Sequence, residues 1–141
     1  MASELTPTHP ASGGCLCGSI RYAITGPIKS VGLCHCNSCR KAASAPAMAW
    51  LTVQAADFCM VRGEPSVHRS STKVTRTFCG TCGSPLTYYN DNDPSEIDIT
   101  AVSLDAPDLF PPTHEAWLEE KIAWTVVNPM LAHFPRGTHG Q

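Results

Sequence analysis

Bulky core-forming side chains are scarce in this 141-residue chain, in which aromatics make up only 7%. A chain of this length is expected to form one domain with a modest core. So few rings exclude an interior held mainly by aromatic packing, and something besides side-chain burial is expected to hold the fold. Charge is also sparse, at 16% of residues, and balanced in sign, with 10 Lys and Arg against 12 Asp and Glu. The resulting formal net charge of -2 supplies no basic field for a phosphate backbone, so nucleic acid is not expected as a partner. Long apolar runs are missing as well. The longest uncharged stretch, Ala42 to Ala56, contains Pro46 and Gln54 and falls short of the roughly 20 apolar residues that span a bilayer. Met1 to Gly14 lacks the basic start and apolar stretch of a secretory signal. These absences read as a soluble, cytoplasmic protein without a membrane partner.

Turn formers and cysteine are abundant. The 12 prolines and 10 glycines punctuate regular structure and favour a β-rich, all-β class of short antiparallel strands with few helical turns. Ile20, Tyr22 and Ile24 alternate with polar or small residues, the period of a half-buried strand. Further strands are expected over 28–34, 48–53, 66–69, 74–78, 86–90 and 97–102, with a short helical turn over 37–43 and an extended connection over 105–113. The organisation predicted is a loose tail over 1–12, one domain over 13–136 and a short tail over 137–141.

Seven of the 8 cysteines fall into three clusters, Cys15-Leu16-Cys17, Cys34-His35-Cys36-Asn37-Ser38-Cys39 and Cys79-Gly80-Thr81-Cys82. Closely spaced cysteines in a reducing compartment are metal ligands more often than disulfides. A Cys-x-x-Cys followed by Gly83 suits a metal knuckle, because two thiolates leave one tight turn whose glycine can take a positive φ. Cys15 to Gly18 offers the same ending. Together Cys15, Cys17, Cys79 and Cys82 supply the four thiolates of a structural zinc site, which would staple the start of the chain to its middle. Cys34, Cys36 and Cys39 can all reach one ion. Three protein ligands with an open place would make a catalytic zinc, whereas a fourth ligand from Cys59 or His35 would close it and make it structural. Otherwise Cys59, after Phe58, reads as a buried small hydrophobe. His35 reads as a structural residue, or as one that moves a proton or hydrogen-bonds a sulfur.

The runs Gly13-Gly14-Cys15-Leu16-Cys17-Gly18-Ser19-Ile20-Arg21-Tyr22, Cys34-His35-Cys36-Asn37-Ser38-Cys39-Arg40-Lys41 and Arg76-Thr77-Phe78-Cys79-Gly80-Thr81-Cys82-Gly83 resemble the glutathione-dependent formaldehyde-activating enzyme family, also called the centromere protein V family. Matches continue through Asp98 to Leu104, Asp105-Ala106-Pro107, His114 with Trp117 and Lys121 with Trp124, so the likeness runs from about Gly13 to Pro135. It implies a β-tent zinc fold with a structural zinc on Cys15, Cys17, Cys79 and Cys82 and a catalytic zinc on Cys34, Cys36 and Cys39. The chain departs from the family at Ser44, where many relatives have glycine, near Ala47, where a bulky residue is common, and over 126–135.

The resemblance also implies a carbon-sulfur lyase that joins the glutathione thiolate to formaldehyde, as S-(hydroxymethyl)glutathione synthase does. Arg40 and Lys41, beside the last ligand, are then candidates to attract the tripeptide's carboxylates, although an Arg-Lys pair is as commonly a solvated surface. Two other classes stand beside the lyase. One is a glutathione-binding zinc protein that acts on another substrate or as a carrier; the other is a zinc-stapled protein-binding module, which needs only the four-cysteine site.

Overall fold

The computed structural model describes residues 11–138. Its elements are β1 (Ala11–Gly14), β2 (Arg21–Ile24), β3 (Ile28–Cys34), the helix α1 (Asn37–Ala43), β4 (Met48–Gln54), β5 (Phe58–Arg62), β6 (Ser66–Arg69), β7 (Val74–Phe78), β8 (Pro85–Asn90), β9 (Glu96–Thr100), β10 (His114–Ala116) and β11 (Ala132–His133). The β-rich expectation holds. An eight-stranded sheet runs in the order β11-β10-β3-β4-β9-β8-β7-β6, and a three-stranded sheet in the order β1-β2-β5. Pairing is antiparallel except for β10, which lies parallel to both β3 and β11.

The core lies where the two sheets face each other. Tyr22 and Ile24 from β2 meet Ile28 and Val31 from β3, Leu51 and Val53 from β4, Leu86 from β8 and Ile99 from β9. Aliphatic residues dominate, and the fully buried Tyr22 shares a hydrogen bond of 2.6 Å with Ser103 Oγ. Cys15 and Cys79 belong to this same cluster, so the metal knuckles extend the interior that the few aromatics leave thin.

Several details differ from the sequence reading. Ala11 and Ser12 already pair with Ile24 and Ala23 in β1, two residues before order was expected; residues 1–10 and 139–141 of the expected tails, with His9 and His139, lie outside the described residues. The strand expected to reach Val102 ends at Thr100 and turns into a 3-10 segment over Ala101–Ser103. The connection over 105–113 holds another 3-10 turn at Pro107–Leu109. Cys59 is exposed, not buried. It sits in β5, where Phe58 and Met60 pack towards the core and the two-residue alternation turns Cys59 outward opposite Ala23. β5, β10 and β11 carry too little periodicity to be recognised locally.

Candidate metal centres

The four-cysteine group is assembled from two tight turns brought together by the sheets. Cys15 and Cys17 follow β1, and Gly18 with φ 80° turns the chain into β2. Cys79 and Cys82 follow β7, with Gly83 at φ 83° playing the same part. The four sulfurs all lie within 4.8 Å of one another. Cys15 to Cys17 is 3.6 Å and Cys17 to Cys79 is 3.8 Å, which matches the edge of about 3.8 Å of a tetrahedron with Zn–S bonds of about 2.3 Å. Backbone N–H groups already point at the sulfurs: Ile20 N–H to Cys15 Sγ at 3.3 Å, and Thr81 and Cys82 N–H to Cys79 Sγ at 3.4 Å each. Such donors favour thiolate.

The thiol acidities follow. Burial pushes Cys15 up, but the Ile20 N–H and the Ser19 hydroxyl outweigh it and bring the thiol down to about 7. The Ser84 hydroxyl, then its backbone, takes Cys82 down to about 5. Ser19 Oγ is 3.1 Å from Cys17 Sγ and 3.3 Å from Cys79 Sγ, and Ser84 Oγ is 3.2 Å from Cys82 Sγ while accepting from Leu16 N–H at 3.0 Å. Sequence reasoning passed over both serines. Their signal was present, since each knuckle ends in the same Cys-Gly-Ser.

The second group, Cys34, Cys36 and Cys39, also has its sulfurs within 4.8 Å of one another. Cys34 ends β3, Cys36 caps α1 by accepting from Cys39 N–H at 3.3 Å, and Cys39 is the buried residue of the helix. Trp50 on β4 donates its indole N–H to Cys39 Sγ at 3.3 Å. Hydrogen bonds from Cys34 and then Cys36 push Cys39 far down against the effect of burial, with the Trp50 N–H and the Arg76 charge adding to it. Cys34 is pushed far up, first by its contacts with Cys36 and Cys39. Thiolates this close repel one another and a cation relieves that repulsion, so the trio has the donor chemistry of a soft metal site.

Neither proposed fourth ligand joins this trio. Cys59 is on the other sheet. His35 turns away from the sulfurs, and its Nε2 meets Glu115 Oε1 at 2.7 Å with both side chains 2% exposed. Glu115 Oε2 in turn accepts from Asn128 N–H at 2.5 Å. Among the described residues, no further cysteine, histidine or carboxylate completes the group. Sequence reading missed Glu115, whose one signal is an acid between His114 and Ala116 in an otherwise uncharged stretch.

Arg40 and Lys41 lie on α1 beside Cys39 and border a groove of about 560 Å³ with Ser44, Pro46, Ile122 and Trp124. Arg40 is partly committed, donating from Nε to His35 O at 3.1 Å and from Nη2 to Asn37 Oδ1 at 3.3 Å. Lys121 holds the turn that carries Ile122 and Trp124, its ammonium donating to the carbonyls of Ile122, Ala123 and Thr125. This turn leaves Trp124 71% exposed over the groove. Ser44 takes φ 51°, ψ 47° at the helix end, a left-handed conformation that glycine adopts without strain.

The comparisons with known proteins agree with this architecture. A crystal structure of a Rhodobacter sphaeroides protein superposes with a TM-score of 0.60 at 19% identity, covering 87% of this chain and 98% of that one, a likeness of fold. No curated protein matches the sequence. The family model described as glutathione-dependent formaldehyde-activating enzyme matches residues 10–120, most of the described fold and both cysteine groups. On that match, the chain belongs to the glutathione-dependent formaldehyde-activating enzyme family.

Proposed function

We propose that this protein is a zinc-dependent carbon-sulfur lyase of the reducing cytoplasm that joins glutathione and formaldehyde at Cys34, Cys36 and Cys39. In this reading Cys15, Cys17, Cys79 and Cys82 hold a structural zinc, and a single domain over 13–136 carries both ions. The observation that carries it is the cysteine trio with no fourth protein donor among the described residues; Arg40 and Lys41, which follow Cys39 on α1, border a groove. Zinc bound to the trio would supply Lewis acidity that holds an incoming thiol in its nucleophilic form at neutral pH.

The chain's own residues do the rest. The Trp50 and Cys39 N–H groups orient the sulfurs of Cys39 and Cys36. Lys41, and Arg40 with what remains of its fork, attract the carboxylates of the tripeptide. The thiol sulfur forms the new bond to the carbonyl carbon, the carbon-oxygen π pair moves to oxygen, and oxygen takes the proton the thiol gave up. No oxidant or reductant is consumed.

The uncatalysed addition proceeds in water, so the test is the approach to equilibrium, followed by NMR exchange at low reactant concentration. Wild-type protein should accelerate exchange, and Cys36→Ser should abolish the acceleration while the four-cysteine group keeps its metal. A wild-type protein that neither accelerates exchange nor binds millimolar glutathione removes the lyase reading. Tight glutathione binding without acceleration favours the carrier instead.

A further inference from the structure

The sheet face beside the cysteine trio carries a row of side chains that the reaction above does not use. Directly paired positions of antiparallel strands project to the same side. The register pairs Thr52 with Asp98, Asp98 with Tyr88, Tyr88 with Arg76 and Arg76 with His68, across β4, β9, β8, β7 and β6. Trp50, two residues before Thr52, shares this face, while Leu51, Val53 and Ile99 fill the core on the other.

The row begins at a candidate metal ligand and ends at a cation. Trp50 donates to Cys39 Sγ, its ring is 5.8 Å from that of Tyr88 at 54°, and the Arg76 guanidinium carbon lies 5.1 Å from the Tyr88 ring centroid. Arg76 is half-buried, and its Nε donates to Ser70 Oγ at 3.3 Å. Arg21, Arg69 and Arg136 each face a carboxylate, on Asp105, Asp91 and Glu119. Arg76 has no carboxylate within ion-pair distance among the described residues. A guanidinium held over a ring and hydrogen-bonded at one edge has less freedom to lose on binding, and its remaining N–H groups can meet a carboxylate in two bonds.

We propose that Arg76, held over Tyr88 and next to Trp50, is a carboxylate subsite that takes an acidic arm of the thiol substrate whose sulfur sits at Cys34, Cys36 and Cys39. The inference rests on the thiol reading above and deepens it by naming a class: thiols that carry a carboxylate at peptide distance. The rings of Trp50 and Tyr88 lie between the trio and Arg76. Arg76 then determines specificity and leaves the bond-forming step to the trio.

The test is calorimetry of zinc-loaded protein with three probes: glutathione, its diester and 2-mercaptoethanol, with metal content measured alongside. Wild-type protein should prefer glutathione to the diester. Arg76→Gln should weaken glutathione on the order of tenfold, the scale of one charged hydrogen-bond pair, and leave the other two probes within twofold. Arg76→Lys, which keeps the charge and serves as the readout if Arg76→Gln fails to fold, should recover only part of the preference because ammonium lacks the fork. Equal losses for all three probes, or loss of metal from the trio, would mean that Arg76 only balances thiolate charge and would overturn the subsite. Wild-type binding of glutathione and diester with equal affinity would overturn it too. If no thiol binds the wild-type protein, the thiol reading itself fails, and this inference fails with it.

Discussion

Replacing Glu115 by glutamine tests how the trio is held. Both Glu115 and His35 are 2% exposed, and the carboxylate accepts from His35 Nε2 at 2.7 Å and from Asn128 N–H at 2.5 Å. A carboxylate is an acceptor at both oxygens, so it serves both donors. Glutamine keeps the volume but offers one acceptor, so its amide N–H₂ faces either the Asn128 N–H or His35, which must then take the other tautomer and leave an N–H at the buried, partnerless Nδ1. The loss is one hydrogen bond to a charged group, about 1.5–3 kcal/mol, with a buried donor left unmade at about 1–3 kcal/mol, contributions that overlap. We expect Glu115→Gln to lower stability by about 2–4 kcal/mol, and Glu115→Ala, which orphans both donors, by about 3–5 kcal/mol. Against the roughly 5–15 kcal/mol that stabilises a domain, this is a large fraction. The assay is denaturant unfolding of metal-loaded protein, in which the midpoint falls while the slope stays unchanged. Because His35 sits between Cys34 and Cys36, a loosened anchor should also let a chelator strip the trio faster, leaving the four-cysteine group at its wild-type rate. A Glu115→Gln protein within about 0.5 kcal/mol of wild type, the scatter of neutral surface changes, with unaltered metal loss from the trio, would refute this anchoring.

The two cysteine groups should differ in what they support: elemental analysis should give about two zinc ions per chain, Cys15→Ser or Cys82→Ser should unfold or aggregate the protein, and Cys36→Ser should fold, because the four-cysteine group joins core residues of both sheets. Equal melting temperatures for the three variants would contradict this division. Ser44→Gly should raise stability by about 1 kcal/mol, since Ser44 holds φ 51° where glycine avoids the left-handed penalty; a thermal melt with no upward shift would count against it. Arg21 holds the Asp105 carboxyl below its ordinary value through their hydrogen bond. The pair therefore stabilises fully above the unfolded value of about 3.9 and is lost as pH falls through the lowered folded value. With side chains 31% and 52% exposed the effect is small and screened by salt, so Asp105→Asn should flatten the acid side of the stability profile slightly, and at low salt only.

Local sequence determined a good deal here. Strands β3, β6 and β7 and helix α1 lie on the residues where alternation, turn formers and the cysteine turn predicted them, because each pattern is set within a few residues. The division of seven cysteines into four and three was equally legible, since thiols two or three residues apart in a glycine-ended turn can reach one ion whatever the rest of the chain does. Tertiary structure decided what depends on distant pairing. β10 and β11 are short, lack alternation of their own, and exist because β3 offers an edge. Cys59 is exposed because β5 pairs with β2 in the register that sends Phe58 inward. His35 was settled by Glu115, 80 positions away, and the row from Cys39 through Trp50 and Tyr88 to Arg76 joins one helix and three strands. No window of sequence contains such contacts, because strand register is fixed by which faces bury together, and that is a property of the whole packed chain.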